Sequence, residues 1–166
     1  MAKILDASIS FYLSGGSTNI SPRESYGGDK SSSALTDSIK LFKDIQPIEK
    51  AIGKTDYRII YVGIDEGDAG TGSSGKLWLT TNDLAAVTYE LAIGAINTII
   101  SKPASEIIAP TGLTFAAAPS TEISGLVIPN VTGGDFFAIG IKRIVAITTD
   151  TKFNSGPELF VNWASA

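Results

Sequence analysis

Turn-forming residues punctuate this chain so closely that most of its apolar runs have room for a strand and little else. Asn82-Asp83, Pro119-Ser120, Pro129-Asn130, Gly133-Gly134 and Gly156-Pro157 each pair residues that favour sharp reversals. The stretches between them are rich in β-branched and aromatic side chains. Asp56 to Ile64, DYRIIYVGI, carries apolar side chains on both parities, which predicts a central strand covered on both faces. Lys3 to Leu13 alternates instead, with Leu5, Ala7, Ile9, Phe11 and Leu13 on one parity, as a half-buried strand does. Further strands are expected at Ser38 to Phe42, Lys76 to Thr81, Val87 to Gly94, Ile96 to Ile100, around Thr114, and at Glu122 to Ile128, Phe136 to Thr149 and Glu158 to Trp163. This spacing suits an all-β fold, a β-sandwich or a jelly-roll-like barrel, better than alternating βαβ units.

Helix is expected to be scarce. Pro47 opens Ile48-Glu49-Lys50-Ala51-Ile52 and Gly53 follows, the arrangement of one short helical turn. Ala92 to Ile100 has a helical alternative, because Leu91, Ala95 and Ile99 share a stripe, but Gly94 and the β-branched residues near its end oppose it. The glycine loop between DYRIIYVGI and KLWLTT reads as a hairpin connection. From 17 to 33 the chain reads STNISPRESYGGDKSSS, a polar loop or arm with little to bury. The 166 residues match a single domain, 1–166, of a size that buries roughly 70% of its unfolded surface.

Composition removes whole classes of chemistry. With no cysteine and no histidine, thiol nucleophiles, imidazole bases, disulfides and thiolate or imidazole metal sites are excluded. A net charge of -4 argues against a surface that tracks phosphates, so no nucleic-acid partner is expected. Only 18% of residues are charged and 43% are hydrophobic, a balance that suits a folded, self-associating protein. No run of eighteen apolar residues predicts a membrane span, and Met1 to Leu13 lacks the features of a secretory leader.

Several motifs have a sharp and a bland reading. Gly70 to Lys76 satisfies the glycine, four residues, glycine, lysine spacing of a phosphate loop, but Leu77 stands where magnesium chemistry needs Ser or Thr, and a strand follows where a helix should. Asp65, Glu66 and Asp68 offer oxygen ligands without any recognised calcium spacing, and solvated loop charge is the expectation. Glu90, Glu106, Glu122 and Glu158 provide no evident catalytic pair, so neither enzyme activity nor a cofactor or metal is expected. Trp78, Tyr89 and Trp163 on or near strands would suit a carbohydrate-binding module if exposed in a row. Lys142-Arg143 puts one charge on each face of an apolar strand, which reads either as protection of an edge strand or as an arginine held in a subunit contact.

Two longer segments, IKLFKDIQPIEKAIGKTDYRIIYVGID and GLVIPNVTGGDFFAIGIKRIV, resemble virion structural proteins of tailed bacteriophages. The first likeness rests on Leu41, Phe42, Asp44, Ala51, Gly53, Asp56, Tyr57, Arg58, Tyr61 and Val62. The second rests on Pro129, Gly133, Gly134, Phe136, Ile141, Lys142 and Arg143. Ala109 to Phe115, Ser14-Gly15-Gly16, Gly27-Gly28 and the serine run after them fit the same picture. The chain departs from the pattern at Gly140, where a bulkier residue is expected, and Asn82 to Ser105 matches no part of it. The resemblance implies a non-enzymatic β-sandwich in a phage particle. It would be a capsid decoration (cement) protein, or alternatively a tail or baseplate adaptor or fibre-associated protein. The implied partners are the major capsid protein and further copies of the chain, as a homotrimer. The implied location is the virion's capsid surface, after assembly in the bacterial cytoplasm. Arg23, Tyr26, Trp78, Lys142 and Arg143 are the expected interaction residues, with 17–33 ordering against a neighbour.

Overall fold

A computed structural model describes residues 8–35, 41–81, 86–149 and 157–162. The regular structure among the described residues is almost wholly antiparallel strand, with one short helix and one 3-10 turn, so the fold is all-β. The largest sheet has six strands, formed by β1 (Ile9–Ser14), β2 (Lys30–Ala34), β3 (Lys54–Ile64), β6 (Val87–Ile93), β7 (Ala116–Ala117) and β10 (Phe136–Val145) in the order β2-β1-β3-β10-β6-β7. A second sheet sets β5 (Lys76–Thr81) between β8 (Leu126–Val127) and β11 (Pro157–Asn162), and β4 (Thr71–Gly72) pairs with β9 (Val131–Thr132). The helix α1 (Pro47–Ile52) follows the sequence expectation, with proline in its first turn, Gly53 after it, and a capping box between Gln46 and Glu49.

Strands β3 and β10 organise the molecule because both are apolar on both parities. Ile60, Val62 and Ile64 of β3 share one cluster with Phe137, Ile139 and Ile141 of β10, Leu91 of β6, and Leu77 and Leu79 of β5. That cluster joins the six-stranded sheet to the three-stranded one. On the opposite face Ile59, Tyr61, Ala138 and Ile100 form a second cluster, with Tyr12, Leu113 and Phe136 against it. Each such side chain contributes about 1.5–3 kcal/mol on burial, so a strand covered on both faces anchors the fold. Tyr61 carries its hydroxyl into this layer without penalty: the O–H donates to the Gly28 carbonyl and accepts from the Ile100 N–H.

Several expectations are corrected. β3 and β5 do not form a hairpin, because β1 and β10 already occupy both edges of β3 and the intervening loop carries the chain into the other sheet. β10 lies between β3 and β6, so Lys142 and Arg143 do not protect an edge. Residues 94–100 are neither strand nor helix. There Asn97 adopts a positive φ of 54° and its side chain bonds Asp135 and the Phe136 N–H. The expected strand at Glu122 to Ile128 contracts to Leu126–Val127, and Leu41-Phe42 is not in a strand. The earlier part of that strand expectation, like Lys3 to Ala7, Asn82-Asp83 and Trp163, lies outside the described residues.

Residues 17–33 fold back on the sheet instead of extending as an arm. They contain a 3-10 turn at Pro22–Glu24 and most of β2. Ser14, fully buried, donates to the Ile59 carbonyl and accepts from the Gly27 N–H, while its own carbonyl takes bonds from Asn19 and Ser25. Gly27 is required there: its φ is 131°, and a Cβ would come within 2.8 Å of the Ser101 carbonyl oxygen.

Candidate functional site

The alternation that buries Ile60, Val62 and Ile64 continues towards the start of β3, where it places Arg58 and Asp56 on the same face. Arg143 stands directly opposite Asp56 on β10. Its guanidinium donates to both carboxylate oxygens of Asp56, at 3.0 and 2.7 Å, and to the Lys43 carbonyl at 2.8 Å. Arg58 donates to the carbonyls of Leu41 and Tyr57 and to the Glu106 carboxylate. Phe42 lies against both cations, with Arg58 5.1 Å and Arg143 4.6 Å from its ring centroid, and packs at a tilt on Tyr89. The two arginines therefore strap the 41–43 segment across the end of the core.

Lys54 completes the cluster, within 2.7 Å of Glu49, 3.3 Å of Asp56 and 3.4 Å of Glu106. Burial would depress the Lys54 ammonium, but Glu49, Asp56 and Glu106 outweigh it and hold its pKa above the ordinary value. Burial likewise pushes the Glu106 carboxyl up, and the charges of Arg58 and Lys54 overcome this and hold it low. Glu49 is lowered in the same way, with the Lys54 ammonium and the Gln46 N–H outweighing burial. Three cations and three carboxylates thus neutralise one another. Both arginines are spent on carboxylate and carbonyl partners. The arrangement is a structural clamp.

The expected interaction residues do not converge. Arg143 is buried and belongs to the clamp, so it cannot serve as a surface contact. Lys142 points to the other face and pairs across the strands with Glu90 at 2.9 Å. Arg23 is exposed and Tyr26 half-buried beside the same 3-10 turn, where the Tyr26 hydroxyl reaches Glu24 and Lys102 sits over its ring. Trp78 is half-buried on β5, opposite in parity to the buried Leu77 and Leu79. Tyr89 is buried, which removes it from any sugar-binding row.

The loop motifs are turn chemistry. Asp65 and Asp68 accept from the N–H groups of Gly67 and Gly70, and among the described residues no group of three metal-ligating side chains gathers. The glycine loop ends in β5 without a helix, and the Lys76 ammonium donates to the Gly125 carbonyl. A polar cleft of about 440 Å³ opens between Tyr12, Lys30, Asp65, Glu66 and Asp135. Its groups are largely engaged, with Lys30 over the Tyr12 ring and the Asp135 carboxylate accepting from Thr132 and Asn97. No helix among the described residues is long and apolar enough to cross a membrane.

Sequence reasoning missed the surface beside the clamp. Helix α1 buries none of its residues, and Ile48 and Ile52 stand exposed four apart, on one helical face. Ile147, also exposed, packs beside Gly53, and the Thr148 N–H ties this segment to the Lys50 carbonyl. Ile107 and Ile108, which follow Glu106 in sequence, are also exposed. The isoleucine spacing was visible in the sequence, but nothing there says that this face turns outward.

Compared with known proteins, the chain matches no family model, no curated protein and no solved structure.

Proposed function

We propose that this chain is a non-catalytic structural protein of a tailed-bacteriophage particle, a decoration protein that binds the outer capsid shell, stabilises it and acts there as a homo-oligomer. The observation that carries this reading is where the resembling residues lie. Leu41, Phe42, Asp56, Tyr57, Arg58 and Arg143 are far apart in sequence and meet in one clamp. Ser14 and Gly27 meet in a second buried network. A chance likeness scattered along a chain has no reason to assemble into interlocking buried sites, whereas a shared architecture does. The exposed isoleucines at the clamp end add apolar contact surface of the kind that symmetric assembly multiplies.

The test is a copy count by quantitative mass spectrometry on purified particles of the phage that encodes the chain. Hundreds of copies, with loss of shell stability when the gene is deleted, is the expected result. Six or a dozen copies would move the protein to the tail, and absence from the particle would overturn the reading.

A further inference from the structure

We propose that the polar cleft at the end of the six-stranded sheet is a binding site for a neutral saccharide. Its floor follows from strand register. Ser10, Gly63 and Phe136 form one row across β1, β3 and β10, and the next row on the same face is Tyr12, Tyr61 and Ala138, which belongs to the second core cluster. Gly63 brings no side chain, so the covering layer stops there and a cleft of about 440 Å³ opens beyond it, within the roughly 300–1,000 Å³ of small-molecule sites. A glycine inside a central strand marks a close approach. Here the approach is that of the Tyr12 ring, whose Cε2 would lie 2.9 Å from a Cβ at position 63.

The walls are set before any ligand arrives. The Ile64 N–H donates to the Asp135 carbonyl, the Gly134 N–H to the Ile64 carbonyl and the Asp65 N–H to the Ser8 carbonyl. Asp135 spends its carboxylate on Thr132 and Asn97, the Asn97 side-chain oxygen accepts from the Phe136 N–H, and the Phe136 ring stands edge-on to Tyr61 at 5.8 Å. This frame presents unspent groups to the cleft. The hydroxyls of Ser8, Ser10 and Tyr12 and the Glu66 carboxylate make no hydrogen bond or ion pair with another described residue. The Lys30 ammonium has the Tyr12 ring as its partner instead of a carboxylate.

Charge and donor type narrow the ligand. One cation, Lys30, against Asp65, Glu66 and Asp135 makes the lining net negative. Asp29, beside Lys30 in the chain, and Asp68, bonded back to Asp65, add the same sign. Phosphates and other anions are therefore repelled. A metal ion finds no group of three acidic ligands among the described residues, and an organic cation meets Lys30 inside the cleft. A neutral sugar needs no counter-charge. Its hydroxyls can donate to Glu66 and Asp65, accept from Lys30 and take either role with the serine and tyrosine hydroxyls, while its C–H face has Phe136 to lie against. The inference does not rest on the virion reading, and because it is tested in solution either can fail alone.

The full isotope-labelled chain is titrated with maltotriose, cellotriose, lactose and triacetylchitotriose while its amide resonances are followed. Each is taken to high millimolar concentration, where even a non-cognate sugar enters a fitting cleft, and phosphate and spermidine serve as charged comparators. Saturable shifts at Ser10, Gly63, Gly134 and Phe136 are expected with at least one sugar. Binding should weaken about tenfold or more in E66A, as for a lost hydrogen bond to a charged group, and should also weaken in S8A/S10A. Both variants should keep the wild-type urea midpoint, since the replaced groups bond no other described residue. Should E66A lower it, S8A/S10A carries the comparison. Sugars that leave these amides unmoved overturn the inference, as do shifts centred on Trp78 instead. So do shifts that both variants leave unchanged, or a cleft that answers to phosphate or spermidine and to no sugar.

Discussion

Replacing Asp56 by leucine leaves a guanidinium buried with no counter-charge. Arg143 is 1% exposed, and the substitution removes its two charge-assisted bonds, of 3.0 and 2.7 Å. It retains the Lys43 carbonyl at 2.8 Å and the face of Phe42, neither of which carries a formal negative charge. Lys54 also loses a neighbour, but it keeps Glu49 and Glu106 and is partly solvated, so its share of the cost is small. Breaking a buried pair from one side costs about 3–5 kcal/mol. For a urea dependence of about 2 kcal/mol per molar, the midpoint should fall by roughly 1.5–2.5 M. Arg143→Met should cost less, because Asp56 then still has Lys54 at 3.3 Å. The double variant D56L/R143M removes both charges and should recover most of the loss, since a buried pair exchanged for apolar volume is often neutral. Urea unfolding followed by far-UV circular dichroism on all four proteins gives the coupling directly. A D56L loss below about 1 kcal/mol, or a double variant as unstable as the sum of the singles, would refute the clamp as a coupled unit.

Gly140→Val should destabilise by about 1–3 kcal/mol through overpacking, because a Cβ there meets Leu113 at 2.8 Å and Phe115 at 2.9 Å; calorimetry would read this as a lowered Tm. Ser14→Ala deprives the buried Ile59 carbonyl and Gly27 N–H of their shared hydroxyl, and should cost about 1–3 kcal/mol in urea unfolding. Glu49 and Glu106 are held below the ordinary carboxyl value of 4.5, so the stability they contribute is present above that pH and is lost as pH falls through their lower folded values. Urea midpoints between about pH 3 and 6 should therefore decline towards acid, and Glu106→Gln should flatten the decline. Lys54 is held above 10.5, so its contribution persists below that pH and disappears as pH rises through the folded value.

The fold class was legible because its signals are local. The two-sided apolar pattern of DYRIIYVGI and the proline and glycine around α1 depend on residues within a few positions of one another, and each appears where expected; the alternation expected of β1 does not, because Tyr12 and Ser14 are covered along with Phe11 and Leu13. Strand partnership was not legible. The β3–β5 hairpin was inferred from adjacency, but the competition that decides it involves β1 and β10, the latter more than seventy positions away. Arg143 illustrates the same limit. An arginine inside an apolar strand has two outlets, a partner molecule or an internal acid, and only the register that sets it opposite Asp56 chooses between them. Gly140 reads as a departure from the pattern when seen alone and as a necessity once Phe115 is known to lie over it.

The buried ions of the clamp and the exposed isoleucines beside it are under different constraints. Phe42, Asp56, Arg58 and Arg143 are interior, and changing any one of them strands a partner, so they are constrained by folding itself. Ile48, Ile52 and Ile147 are largely exposed, so polar substitution there should cost the isolated chain little.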